Sequence, residues 1–188
     1  MQNYQDAMAM VRRFGKPDLF ITFTCNSNWP EITNCIHPSW ETSNNRPDIV
    51  VRVFHAKVQE LLRLLNVVQI FGAVVSFIYV IEFQKRGLLH CHLLLTLSEA
   101  CKIREIEDID KVVSAEIPDP ADTHLYTLVG KHMVHGPCGV LNPVCICMED
   151  GKCKKDFPKA FNATTIENLN GYPVYKRPNN VRKIKKIY

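Results

Sequence analysis

The chain has 188 residues, 46% of them apolar and 22% charged. That is enough for one domain with a hydrophobic core, or one domain and a small appendage, and it excludes disordered, collagen-like and low-complexity proteins. The net charge of +4 conceals a split: residues 1–150 hold 13 Lys and Arg against 17 Asp and Glu, whereas residues 151–188 hold 10 against 2. A basic end on a slightly acidic body points to an anionic partner met at that end.

Tyr4 to Phe14 is predicted to form a short helix, stopped by Gly15 and Pro17. Leu19 to Thr24 alternates and is rich in aromatic and β-branched residues, which predicts a strand. Cys25 to Asn45 reads as a loop, and its two tryptophans, Trp29 and Trp40, are expected to pack in a core rather than stack on bases. Pro47 suits a first helical turn, and Val50, Phe54, Val58, Leu61 and Leu65 recur at helical spacing, predicting an amphipathic helix over 48–66. Ala73 to Gln84 and Leu88 to Leu97 are predicted strands of one hairpin, with Lys85, Arg86 and Gly87 as its turn. The longest apolar run, Val67 to Ile81, spans 15 residues, fewer than the roughly 20 a membrane helix needs. No membrane association is expected.

Ser98 is expected to cap a short helix. Lys102 to Glu116 carries no clear pattern, Pro118-Asp-Pro120 is a loop, and Thr123 to Val134 is predicted helical. From His135 onward Gly, Pro and Cys dominate, and little regular structure is expected before Tyr172. The element order favours an α+β fold, an antiparallel sheet with helices on one face. The expected division is a core at 1–134 and a Cys/His-rich irregular subdomain at 135–188. The opening residues carry no apolar leader segment, so a reducing, intracellular compartment is the expectation, and clustered cysteines there read as metal ligands before disulfides.

The most informative segment is Glu82-Phe-Gln-Lys-Arg-Gly-Leu-Leu-His-Cys-His92. His90 and His92 lie two apart on a predicted strand and share one face. A three-residue turn at 85–87 sets Glu82 directly opposite His90, with Gln84 diagonal to it; a two-residue turn would put Glu82 opposite Cys91, on the wrong face. Two imidazoles with a carboxylate or an amide, leaving coordination positions open, suit Mg²⁺, Mn²⁺ or Zn²⁺ acting on a phosphate.

This segment resembles the metal-binding motif of HUH endonucleases, two His flanking one residue, here Cys91. More narrowly, the chain resembles the Helitron helicase-like domain, the Rep-type domain of Helitron transposons. Four further segments agree in order: Phe14-Gly-Lys-Pro-Asp-Leu-Phe-Ile-Thr-Phe-Thr-Cys-Asn with Trp29-Pro-Glu-Ile; Met133-Val-His-Gly-Pro-Cys-Gly; Gly151-Lys-Cys-Lys-Lys-Asp-Phe-Pro-Lys; and Gly171-Tyr-Pro-Val-Tyr-Lys-Arg. The resemblance implies a ferredoxin-like HUH fold with His90 and His92 on a central strand. It implies Mg²⁺ or Mn²⁺ as cofactor, His90 and His92 as ligands, and Glu82 or Gln84 as the third. The implied activity is nicking and strand transfer of single-stranded DNA by a tyrosine in rolling-circle transposition. A C-terminal helicase domain would be present in a full-length parent, and a nuclear location in a eukaryotic cell.

The family's catalytic tyrosines belong to a Tyr-rich helix after the Gly171–Arg177 segment, and none is expected within this chain. Tyr172 and Tyr175 flank Pro173 and read as structural, so the domain is expected to be truncated before its nucleophile and inactive alone. There is no P-loop. His135, Cys138, Cys147 and Cys153 are the favoured ligands of a structural Zn²⁺, with Cys145 the alternative to Cys147; free thiols in a packed loop are the other reading. Lys154, Lys155, Lys159, Lys176 and Arg177, with the rest of the basic tail (Arg182, Lys183, Lys185, Lys186) and interleaved aromatics, suit single-stranded nucleic acid. Two other readings stand beside the nuclease: a non-catalytic, zinc-stabilised DNA-binding remnant, and a phosphoesterase using activated water.

Overall fold

The computed structural model describes residues 2–37, 39–84, 88–167, 172–180, 182 and 184. The 85–87 turn, Gly171, Lys183, Lys185, Lys186 and Tyr188 lie outside the described residues. The chain forms two compact units, Met1–Ile103 and Arg104–Tyr188.

The first unit holds α1 (Gln2–Phe14), β1 (Leu19–Thr24), a short α2 (Pro30–Thr33), α3 (Pro47–Asn66), β2 (Val74–Phe83) and β3 (Leu89–Leu97). The strands form one antiparallel sheet in the order β1-β3-β2. β1, α3 and β2 thus make a split β-α-β unit with β3 in the gap, the first half of a ferredoxin-like arrangement. The α+β class is the one the element order predicts. Gly15 ends α1 with φ 89° and its N–H on the Val11 carbonyl, a left-handed stop that a side chain would strain.

Alternation divides the sheet. Phe23 of β1 and Leu89, Cys91, Leu93 and Leu95 of β3 pack with Val50, Phe54, Val58 and Leu65 of α3. These α3 residues recur at helical spacing because one stripe of the helix covers one face of the strands. Each fully buried aliphatic or aromatic side chain there contributes roughly 1.5–3 kcal/mol. Trp29 joins this core, stacked on Phe23 at 5.8 Å. Trp40 does not: it is exposed and stacks on His37, contrary to the expectation that both tryptophans are buried. It sits in the loop before α3, away from the stripe that α3 covers.

Where the strand hairpin ends, Asp18 accepts the Leu97 N–H at 2.8 Å and pairs with Lys102 at 3.5 Å. Ser98 does not cap a helix through its side chain. Only a three-residue 3₁₀ turn follows, at Glu99–Cys101, and the Ser98 hydroxyl engages the Cys101 thiol instead, pulling that thiol's pKa down. Gly72 is needed beside it, since a Cβ there would lie 2.8 Å from both Cβ and Sγ of Cys101.

The second unit holds α4 (Ile106–Val112), α5 (Thr123–His132) and a two-stranded ribbon, β4 (Met148–Glu149) and β5 (Lys152–Cys153). α4 arises where the sequence shows no pattern. It is fixed by a capping box in which the Glu105 carboxylate accepts the Asp108 N–H and the Asp108 carboxylate accepts the Glu105 N–H. Residues 104–134 are tied by side chains to the later chain. Thr165 donates to Asp110, Lys176 pairs with Glu116 at 2.9 Å, and Arg182 with Asp119 at 2.7 Å.

Phe54→Ala empties a stacked core position and should cost about 3–5 kcal/mol in urea unfolding followed by Trp29 fluorescence. The Asp108 carboxyl is held down to about 2, first by the Lys111 ammonium and then by the N–H groups of Arg104 and Glu105. Its folded-state value is depressed, so its support of α4 is complete above the ordinary carboxylate range and fades as pH falls through about 4 to 2. Amide protection at Ile109 and Val113, the exchange rate relative to that of the unfolded chain at the same pH, should fall over that window, and Asp108→Asn should remove that fall.

Candidate metal centres

β3 presents Leu89, Cys91, Leu93 and Leu95 to the core, so His90 and His92 emerge on the opposite face. Register decides what they meet. Glu82 of β2 lies directly opposite His90, the pairing an odd-length turn requires, and the Gln84 N–H donates to the Leu88 carbonyl at 2.9 Å. The Glu82 carboxylate reaches diagonally to His92, Oε1 to Nε2 at 3.2 Å. The Gln84 amide lies 3.4 Å from His90 Nδ1. The two imidazoles are 6.1 Å apart between ring centroids.

β1 supplies three residues that the sequence reading did not name. Thr22 pairs with His92 and Thr24 with His90, their hydroxyls 3.2 and 3.4 Å from the respective Nδ1 atoms. Phe20, 65% exposed, stacks on His92 at 5.7 Å and 7°. The signal for them is the even-numbered set of Leu19–Thr24, which becomes informative only once β1 is known to pair with β3.

The donor set suits a hard or borderline divalent ion: two imidazoles, a carboxylate already one ligand-to-ligand distance from one of them, and an amide, all on a half-open surface. A threonine hydroxyl both donates and accepts. Thr22 can therefore satisfy His92 Nδ1 in either tautomer, so that Nε2 can give up its proton and ligate with no ring nitrogen left unpaired.

A family model for the Helitron helicase-like domain at the N-terminus matches residues 1–95, a span that includes β1, α3, β2 and both histidines. The chain belongs to the Helitron helicase-like domain family. No curated protein matches it.

The match of this Helitron domain stops short of a second cluster. In the second unit, ligand atoms of His135, Cys138, Cys147 and Cys153 all lie within 4.8 Å of one another, a group that can hold a metal ion. Among the described residues it is the one group of three or more His, Cys, Asp and Glu ligand atoms gathered so tightly. His135 Nε2 is 3.4 Å from the Cys147 sulfur and 3.6 Å from that of Cys153. Burial and the neighbouring thiols push Cys147 up to about 12, and burial raises Cys138. Backbone N–H groups hold two sulfurs down, those of Cys147 and Ile146 acting on Cys145 and those of Phe157 and Lys155 on Cys153.

The basic residues are largely engaged. Lys154 pairs with Glu149 at 3.1 Å, Lys159 with Asp156 at 3.8 Å, and Lys176 with Glu116 at 2.9 Å. Lys155 is exposed, and Arg177 bridges by its backbone to Asn162. These are exposed ion pairs of low strength, which a phosphate can displace. Tyr172 is exposed and Tyr175 half-buried, in a segment of isolated bridges without a helix.

Thr22→Val, which keeps shape but removes the hydroxyl, should weaken Mn²⁺ binding at the His90–His92 face about 10-fold, read by titration calorimetry.

Proposed function

We propose that this chain is the metal-binding part of a Helitron replication initiator, acting on single-stranded DNA to nick it and transfer the cut strand in rolling-circle transposition. The observation supporting this reading is the convergence of Glu82, Gln84, His90 and His92 on one sheet face inside the family-matched residues.

A Mg²⁺ or Mn²⁺ ion bound there would polarise the scissile phosphodiester and offset charge developing on its oxygens. His90, His92 and Glu82 are the residues to hold it, with Gln84 as the alternative third donor. Thr22 and Thr24 orient the two imidazoles. Phe20 lies flat on His92 with much of its ring in solvent, a surface on which a base beside the scissile phosphate can stack. Lys154, Lys155, Lys159, Lys176 and Arg177 offer cations to the DNA backbone.

Neither Tyr172 nor Tyr175 has the helical setting of the family's nucleophile, and neither is assigned the attack. A helicase domain in the same parent protein and a nuclear location in a eukaryotic cell belong to this reading. The second reading, a zinc-stabilised single-stranded DNA-binding remnant, is favoured by the Cys/His cluster beside Lys154 and Lys155.

Labelled single-stranded DNA and Mn²⁺ separate the two. On the initiator reading, Mn²⁺ strengthens DNA binding and the His90→Ala/His92→Ala variant loses that increment, with no covalent adduct in either protein. Binding indifferent to Mn²⁺ and to those substitutions supports the remnant. An adduct mapped to Tyr172 or Tyr175 by mass spectrometry would overturn the nucleophile assignment.

A further inference from the structure

We infer that His135, Cys138, Cys147 and Cys153 form a closed structural zinc site that holds residues 135–157 folded, with Cys145 hydrogen-bonded to a ligand sulfur and outside the coordination shell. This goes beyond the nicking reading and does not depend on it.

Apolar burial cannot hold this segment. Val140 is 100% exposed and Ile146 99%, Leu141 and Val144 are also in solvent, and none of residues 139–146 is buried. No disulfide substitutes, since all eight cysteines are free. The β4-β5 ribbon has only the pairs Met148–Cys153 and Glu149–Lys152, far short of an independently stable hairpin. Yet the local geometry brings four ligands to one point. The ribbon sets Cys153 beside Cys147, and the Lys154 N–H donates to the Cys147 carbonyl at 2.7 Å. The Phe157 ring stacks on His135 at 4.1 Å and 8°, orienting the imidazole so that Nε2 meets the sulfurs.

Three thiolates and one imidazole make a complete tetrahedral set for Zn²⁺, with no position left for substrate. Soft donors of this kind exclude Mg²⁺ and Mn²⁺, so the two centres of the chain select different ions. At a Zn–S distance of about 2.3 Å, ligand sulfurs stand about 3.8 Å apart. The 4.8 Å envelope reaches that by small side-chain rotations. Cys145 lies outside the four-ligand group, with its sulfur 3.5 Å from that of Cys147. In the structure the Cys147 S–H donates to the Cys145 sulfur; once Cys147 is a thiolate ligand that bond reverses and the Cys145 S–H donates to it, the kind of outer contact that tunes a metal site.

The test uses the full chain, purified from zinc-containing medium, with bound metal measured by elemental analysis and the site reloaded with Co²⁺. The expected result is one zinc per chain and, with Co²⁺, a thiolate-to-metal charge-transfer band. That band cannot come from the His90–His92 face, which offers no thiol. Cys138→Ser and Cys147→Ser should lose the band, whereas Cys145→Ser and His90→Ala/His92→Ala should keep it. A wild-type chain without zinc and without the band overturns the site, and loss of the band in Cys145→Ser overturns the ligand assignment. Should the ligand variants fail to fold, the wild type still decides: a thiol-specific mercurial must release the zinc, and a chelator must open residues 139–151 to protease. Zinc removal that leaves those peptide bonds protected overturns the structural role.

Discussion

The two-residue period of β3 governs the first unit. A central strand has both faces occupied, and here they carry opposite chemistry. Leu89, Cys91, Leu93 and Leu95 are driven under α3 by apolar burial, which forces His90 and His92 outward on the other side. The register with β2 brings Glu82 opposite His90, and the register with β1 brings Thr22 and Thr24 opposite the two imidazoles. A slip of one residue in either pairing would turn a carboxylate or two hydroxyls into the core and leave them unpaired there. The hydrophobic contacts of α3 and the polar convergence on the far face are therefore one constraint seen from two sides. Core packing sets the site from the opposite face, through the alternation of the strands that carry both.

The second unit is organised differently. Its described side chains include little that is buried, and its order comes from pairwise polar ties: Asp110 with Thr165, Glu116 with Lys176, Asp119 with Arg182. Ties between exposed groups contribute little each. Such a chain lacks the apolar area that orders the first unit, and the zinc proposed at the three gathered thiols and one imidazole would compensate for that lack.

How much was legible in the sequence follows from which forces were local. β1 was readable at its observed bounds because Leu19–Thr24 alternates strictly, and α3 because its stripe repeats over about four turns. The Glu82–His90 pairing was readable because a short turn transmits register from one strand to the next. Nothing comparable links β1 to β3, more than sixty residues apart, so Thr22, Thr24 and Phe20 stayed hidden although their alternation was plain. α4 was missed because it rests on a capping box of two acidic residues and not on apolar periodicity. Ser98 misled because a hydroxyl before a short turn has two partners to choose from, and the Cys101 thiol takes it.

The contrast between the two centres follows from donor chemistry. The His90–His92 set mixes imidazole, carboxylate and amide on a surface with Phe20 beside it, so coordination positions remain for water or a phosphate oxygen. The His135 set, three soft thiolates and one imidazole, is complete and leaves none. An ion that must exchange its ligands during a reaction needs the first arrangement; an ion that must never let go needs the second. On the proposed assignments, a chelator strong enough to strip the sulfur-rich site would act on folding, while removal of a hard ion from the sheet face would act on chemistry and leave the α3-covered core in place. Chelation at the two proposed centres would therefore have two separable effects, one in each compact unit.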